Sequence, residues 1–157
     1  MIAVSLQDMK AALPRGGRLM GLDLGEKTIG IAVGDPGHMI ATPITTIRRK
    51  KFTEDAQALL KLIDDRQVGG VVIGLPLNMD GSEGPRCQSV RQFANNLAKL
   101  RDLPMAFWDE RLSTVAVTRD MIAADLSRSK RAKIVADTTP LLSSLANKIF
   151  MLNCLLA

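Results

Sequence analysis

Two runs decide the fold: Arg18-Leu19-Met20-Gly21-Leu22-Asp23-Leu24 and Thr28-Ile29-Gly30-Ile31-Ala32-Val33-Gly34-Asp35, joined by the polar link Gly25-Glu26-Lys27. β-Rich runs on either side of so short a link predict an antiparallel hairpin. Downstream, Pro36-Gly37 makes another turn. The Thr- and Ile-rich stretch from Ala41 to Arg49 predicts a third strand, and its one proline places it at or near a sheet edge. The pattern then changes period. Ala56, Leu59, Leu60 and Ile63 recur at i, i+3, i+4 and i+7, one face of a helix over Thr53–Arg66. Gly69-Gly70-Val71-Val72-Ile73-Gly74-Leu75 is a continuous apolar run, the mark of a strand buried on both faces. A polar loop from Pro76 to Pro85 leads to a helix over Arg86–Leu100, with Val90, Phe93, Ala94 and Leu97 on one side. Leu103–Trp108 predicts a fifth strand, and Ser113 caps a helix running to Ala124. Upstream, Leu6, Met9 and Leu13 stand at helical spacing before Pro14-Arg15-Gly16-Gly17 punctuates the chain. Residues 1–17 therefore read as an N-terminal helical appendage and 18–157 as one domain. The fold class is α/β: a mixed five-stranded sheet, three antiparallel strands followed by two parallel ones, with helices on both faces.

Composition narrows the chemistry. The chain has 157 residues, enough for one domain with a real core. Lys and Arg total 21 against 16 Asp and Glu, a net charge of +5 that leans toward polyanionic partners. The one histidine, His38, cannot build a multi-histidine metal site or a Ser-His-Asp triad. Cys87 and Cys154, with no CxxC, exclude a zinc ribbon or a disulfide scaffold and fit a reducing cytosol. No apolar run reaches the length of a membrane span, so a cytoplasmic protein is expected. Aromatics are 3% with no tyrosine, which disfavours a base-stacking platform. Catalysis at neutral pH falls to carboxylates, hydroxyls or lysines.

Three acids stand out. Asp23 lies in the first strand between Leu22 and Leu24 and points opposite to both. Read alone, it could be a strand-end aspartate bonded to the loop amides of Gly25 or Lys27. Asp109-Glu110 follows the fifth strand; read alone, it complements the dipole of the next helix. Asp137, read alone, is a plain N-cap before Pro140. In a sheet of this order, strands 1 and 4 are adjacent and parallel with strand 5 beside them. The C-terminal ends of strands 1 and 5 then open on one edge, where open α/β sheets bind ligands. Clustered carboxylates repel unless a cation neutralises them, and hard oxygen ligands select Mg2+ or Mn2+. Such ions support phosphodiester hydrolysis without a histidine.

Three motifs in order carry a resemblance. They are Gly21-Leu22-Asp23-Leu24-Gly25-x-Lys27-Thr28-x-Gly30-x-Ala32-Val33, then Val72-Ile73-Gly74-Leu75-Pro76-Leu77-Asn78-Met79-Asp80-Gly81-Ser82-Glu83, then Trp108-Asp109-Glu110-Arg111-Leu112-Ser113-Thr114. Over about residues 18–135 the chain resembles the YqgF (RuvX) family, bacterial proteins with an RNase H-like fold. The family is described as Holliday-junction resolvases and as nucleases trimming the 5′ end of pre-16S rRNA. The resemblance implies that Asp23 and Glu110 are catalytic, metal-binding acids. It places Asn78, Asp80 and Arg111 in motif loops around the cleft in supporting roles, and Lys27, Asn78 and Arg111 are expected to bind substrate. The family's third acid opens the C-terminal helix. By count it falls on Ala136, whereas the aspartate stands at Asp137, and a one-residue slip turns a helical side chain by about 100°. Either the tail has diverged with Asp137 reaching the metal, or a reading-frame shift has altered it; resequencing separates the two.

Arg128, Lys130, Arg131 and Lys133 bracket that acid and suit flanking phosphates. Arg48-Arg49-Lys50-Lys51 fits either a phosphate contact or a solvated face. The leading expectation is an Mg2+- or Mn2+-dependent nuclease acting on pre-rRNA, with the pre-ribosomal subunit as a partner, or on branched DNA. A monomer suffices for a leader RNA; symmetric junction cleavage requires a homodimer. Two alternatives stand beside it: a non-catalytic RNA- or ribosome-binding factor on a nuclease scaffold, and an actin-like ATPase phosphotransfer domain, suggested by Asp23-Leu24-Gly25-x-Lys27-x-x-Gly30.

Overall fold

The computed structural model describes residues 6–37 and 41–110. Their elements are α1 (Leu6–Ala12), β1 (Arg18–Leu24), β2 (Thr28–Gly34), β3 (Ala41–Arg48), α2 (Phe52–Asp65), β4 (Val68–Leu75), α3 (Pro85–Leu100) and β5 (Met105–Asp109). The strands form one sheet in the order β3-β2-β1-β4-β5. The β1–β2 and β2–β3 pairs are antiparallel, and the β1–β4 and β4–β5 pairs are parallel. The hairpin, the edge position of the third strand and the parallel half of the sheet are therefore as the sequence predicts. Pro43 is accommodated at a register shift: Thr45 pairs with Ile31 and Pro43 with Ala32, so Ile44 is left over. The helix expected from Ser113 and the basic stretch 128–133 lie outside the described residues, as does His38.

Strand alternation sorts the side chains onto two faces. On one face Met20, Leu22, Leu24, Ile73 and Leu75 pack under Ala56, Leu59 and Ile63 of α2 and under Val90, Phe93 and Leu97 of α3. On the other, Leu19, Val72, Ala106 and Trp108 pack with Met9 of α1 and with Leu13. Met9 is fully buried. Gly70 is what lets this segment down onto β4, since a Cβ there would stand 2.7 Å from both Leu13 Cδ1 and Met9 Cε. The N-terminal segment thus contributes side chains to the sheet's second face. Burial of one such methionine is worth about 1.5–3 kcal/mol.

α2 ends at Asp65 with Arg66 as its C-cap, and the left-handed turn that follows falls on Gln67, at φ 54°. That position most often belongs to glycine. α3 opens with Pro85 at its first turn, where a missing N–H costs no helix bond. A bidentate ion pair between Arg101 and Asp64, at 2.8 and 3.1 Å, ties the C-terminal ends of the two helices together. It lowers the Asp64 pKa, chiefly through the hydrogen bond.

Candidate active site

The second face of the sheet changes character along the strands. Near α1 it is apolar; at the C-terminal ends of β1 and β4 it becomes small and acidic. Asp23 lies on this face, opposite to Leu22 and Leu24, and is half-buried. Its partner in β2 is Gly30. Its neighbour in β4 is Gly74, one position beyond the Leu22–Ile73 pair. Neither lateral neighbour has a side chain, so the carboxylate stands over a shallow glycine floor. The Gly25 amide donates instead to the Thr28 carbonyl at 2.8 Å, closing the hairpin turn. It is therefore not the amide that would have made Asp23 a self-capped strand end.

β5 brings the second acid to the same floor. Gly74 pairs with Trp108 and Leu75 with Asp109, so Asp109 points to the α2–α3 face. The next residue, Glu110, keeps its amide on the Leu75 carbonyl at 3.3 Å. Its side chain then folds over β4. A Cβ built on Gly74 would meet Glu110 Cδ at 3.2 Å and Cγ at 3.3 Å, with Oε1 nearer still. Adjacent strands lie about 4.8 Å apart. Glu110 thus hangs over the strand directly beside Asp23, on Asp23's face and at the C-terminal rim of the parallel strands. Gly74 is the residue that sequence reasoning passed over. The available signal was an isolated glycine inside an otherwise apolar strand, which marks close approach by another group.

The other expected residues divide. Lys27 is exposed at the tip of the hairpin that Asp23 feeds. Asn78 and Asp80 lie in the loop after β4, at the same rim, and their bonds build that loop. Asn78 Nδ2 donates to Ser82 Oγ at 3.0 Å, and Asp80 Oδ1 accepts from the Ser82 amide at 2.9 Å and its hydroxyl at 2.6 Å. Gly81 turns the loop at φ 87°, and Glu83 pairs with Arg91 of α3, which holds the Glu83 carboxyl below its usual pKa. Met79 at the loop tip is 91% exposed. Trp108 is buried against Met9, Leu19 and Val72 and serves as core. The basic run at the end of β3 splits: Arg48, Lys50 and Lys51 are exposed, whereas Arg49 turns inward. Arg111, Arg128, Lys130, Arg131 and Asp137 lie outside the described residues.

Two carboxylates beside a side-chain-free floor suit a small hard cation, because Mg2+ is commonly held by one or two carboxylates together with substrate phosphates. Among the described residues no three acids, histidines or cysteines gather into a metal-holding group. Within the described residues the rim offers two carboxylates, those of Asp23 and Glu110. No helix among the described residues is long and apolar enough to cross a membrane.

A mixed sheet in the order 3-2-1-4-5, with acids at the C-terminal rim of strands 1 and 5, defines an RNase H-like fold. The structure of RuvC from Thermus thermophilus superposes with a TM-score of 0.53 at 11% identity, covering 88% of this chain and 93% of that one. The chain belongs to the RuvX family, described as Holliday junction resolvases, whose model matches residues 17–139. A relative in Paramagnetospirillum magneticum, named "Putative pre-16S rRNA nuclease", is 62% identical over 128 residues, covering 82% of this chain and 83% of its own. One of the same name in Rhodobacter capsulatus is 61% identical over 135 residues, covering 86% and 85%.

Proposed function

We propose that the chain is a divalent-cation-dependent nuclease that hydrolyses phosphodiester bonds in structured nucleic acid, with the 5′ end of pre-16S rRNA as its substrate. The observation that carries this reading is the Glu110 carboxylate lying over Gly74, one strand from Asp23. The names of the close relatives supply the substrate.

Asp23 and Glu110 would hold Mg2+ or Mn2+, with Asp137 completing the set. A bound cation of this kind makes water more acidic and neutralises charge on the departing oxygen. The protein's own contribution is placement. Strand pairing fixes Asp23, the Leu75–Glu110 backbone bond fixes the start of the Glu110 side chain, and the missing side chain at Gly74 lets that carboxylate lie over β4 beside Asp23. Lys27, on the exposed hairpin tip, Asn78 and Arg111 would contact the substrate. Arg128, Lys130 and Arg131 hold flanking phosphates, a contact that is independent of sequence. On this reading the reaction runs in the cytoplasm on the pre-ribosomal particle, and a monomer suffices for a single cut.

The test is cleavage of a 5′-labelled pre-16S leader RNA in Mg2+. D23N and E110Q each lower the rate by about 10³-fold or more, on the scale of lost transition-state charge stabilisation, while circular dichroism and RNA affinity stay near wild type. A variant that cleaves normally removes its residue from the site. The family description favours a second substrate, branched DNA. A four-way junction run beside the RNA decides which polymer is cut faster. Loss of Arg128, Lys130 or Arg131 should weaken binding to all sequences alike and reduce the salt slope by about 1 per residue. An unchanged slope refutes their role.

A further inference from the structure

The β1–β2 turn carries Asp23 at its root and Lys27 at its tip, and one residue 24 positions away holds it. Arg49, the first residue beyond β3, donates its backbone amide to the Lys27 carbonyl at 2.8 Å and Nη1 to the Gly25 carbonyl at 2.7 Å. Its guanidinium carbon lies 5.9 Å from the Phe93 ring centre, and Phe93 meets Phe52 edge-on at 5.3 Å. The next link is equally fixed. Asp55, 3% exposed in α2, accepts the Lys50 amide on both oxygens, at 3.0 and 3.3 Å. A continuous bracket therefore runs from the buried carboxylate of α2, through the Arg49–Lys50 backbone, to the two carbonyls of the catalytic hairpin.

We infer that Arg49 is a positioning residue: it fixes the turn that Asp23 feeds, so that Asp23 is held beside Gly74 and Glu110 in one geometry. This inference rests on the nuclease reading above. Three features support it. The turn is short and mostly exposed, so its own packing does little to hold it. A guanidinium-to-carbonyl bond is charge-assisted and stronger than a neutral one. Arginine also lies flat on an aromatic face while its outer nitrogens donate, which lysine cannot do in the same way. Of the four basic residues Arg48, Arg49, Lys50 and Lys51, Arg49 is the one that is not exposed. The basic run therefore contains one structural cation and three outward-facing ones.

The experiment compares full-length wild type, R49A, R49M and D23N. R49M keeps the apolar stem and lacks the donor, and it provides the comparison should R49A fold poorly. Three readouts are taken: steady-state cleavage of the leader RNA, Mn2+ binding by electron paramagnetic resonance, and amide exchange of residues 24–30. The expected result is a loss of about tenfold or more in kcat with KM within about threefold, as suits a misplacement of under 1 Å. Mn2+ binds more weakly, and exchange at Gly25 and Thr28 speeds up while β4 and β5 are unchanged. A merely structural role would lower the melting temperature and leave kcat and Mn2+ affinity intact below it; that result overturns the inference and spares the nuclease reading. A wild type that cleaves nothing, or a D23N that cleaves as well as wild type, overturns the nuclease reading and the inference with it.

Discussion

Gly74→Ala is the most direct probe of how the two acids are assembled. Gly74 sits in a regular strand, so a methyl group there meets no backbone penalty, and the lost chain entropy of glycine favours alanine slightly. The methyl group would, however, occupy the space now filled by Glu110. Carbon atoms prefer separations of about 3.5–4.0 Å. Glu110 Cδ and Cγ, at 3.2 and 3.3 Å from the new atom, must each retreat by several tenths of an ångström. Oε1, which is closer, must move furthest, by about 1 Å on this contact scale. The Glu110 side chain is flexible, so the displacement costs little stability. A catalytic group moved by about 1 Å, however, loses roughly 10² in rate, or about 2.7 kcal/mol of transition-state stabilisation. The assay pairs thermal unfolding with cleavage of the leader RNA in saturating Mg2+. The expected outcome is an unchanged or slightly raised melting temperature with kcat down about a hundredfold. An alanine variant that cleaves at the wild-type rate refutes the argument that Glu110 works from its place over β4.

Other consequences are simpler. Gln67→Gly relieves a left-handed side chain and should raise stability by about 0.5–1 kcal/mol, the left-handed cost less the entropy glycine adds to the unfolded chain; chemical denaturation measures it. Met9→Ala should destabilise by about 2–5 kcal/mol, because α1 helps fill the second face, and an unchanged melt would show that residues 1–17 lie outside the cooperative unit. The Arg91 guanidinium holds Glu83 below its usual pKa, so the tether contributes above the unfolded value and is lost as pH falls through the folded one. An NMR titration of Arg91→Ala should find Glu83 back in the ordinary carboxylate range. Chelation of divalent ions should abolish cleavage without unfolding the chain, and added Mn2+ should restore it; cleavage that persists in chelator removes the cation from the reaction.

The strand hairpin, the amphipathic helices and the buried apolar strand were legible in the sequence because period and turn chemistry are local properties. The run Val71-Val72-Ile73 and the alternation about Asp23 needed no knowledge of neighbours. Three motifs spaced along the chain identified the family, since a site assembled from distant acids leaves each acid in its own recognisable setting. The sequence by itself therefore determined the elements, the sheet order and the candidate acids. Only the tertiary structure decided what surrounds them. Gly74 became the floor beneath Glu110 because parallel pairing sets β4 between β1 and β5. Arg49 left the basic run to hold the hairpin because the end of β3 comes level with the β1–β2 turn. Both facts are cross-strand distances, and a linear pattern carries no information about which residues, far apart in the chain, hydrogen bonding will bring side by side.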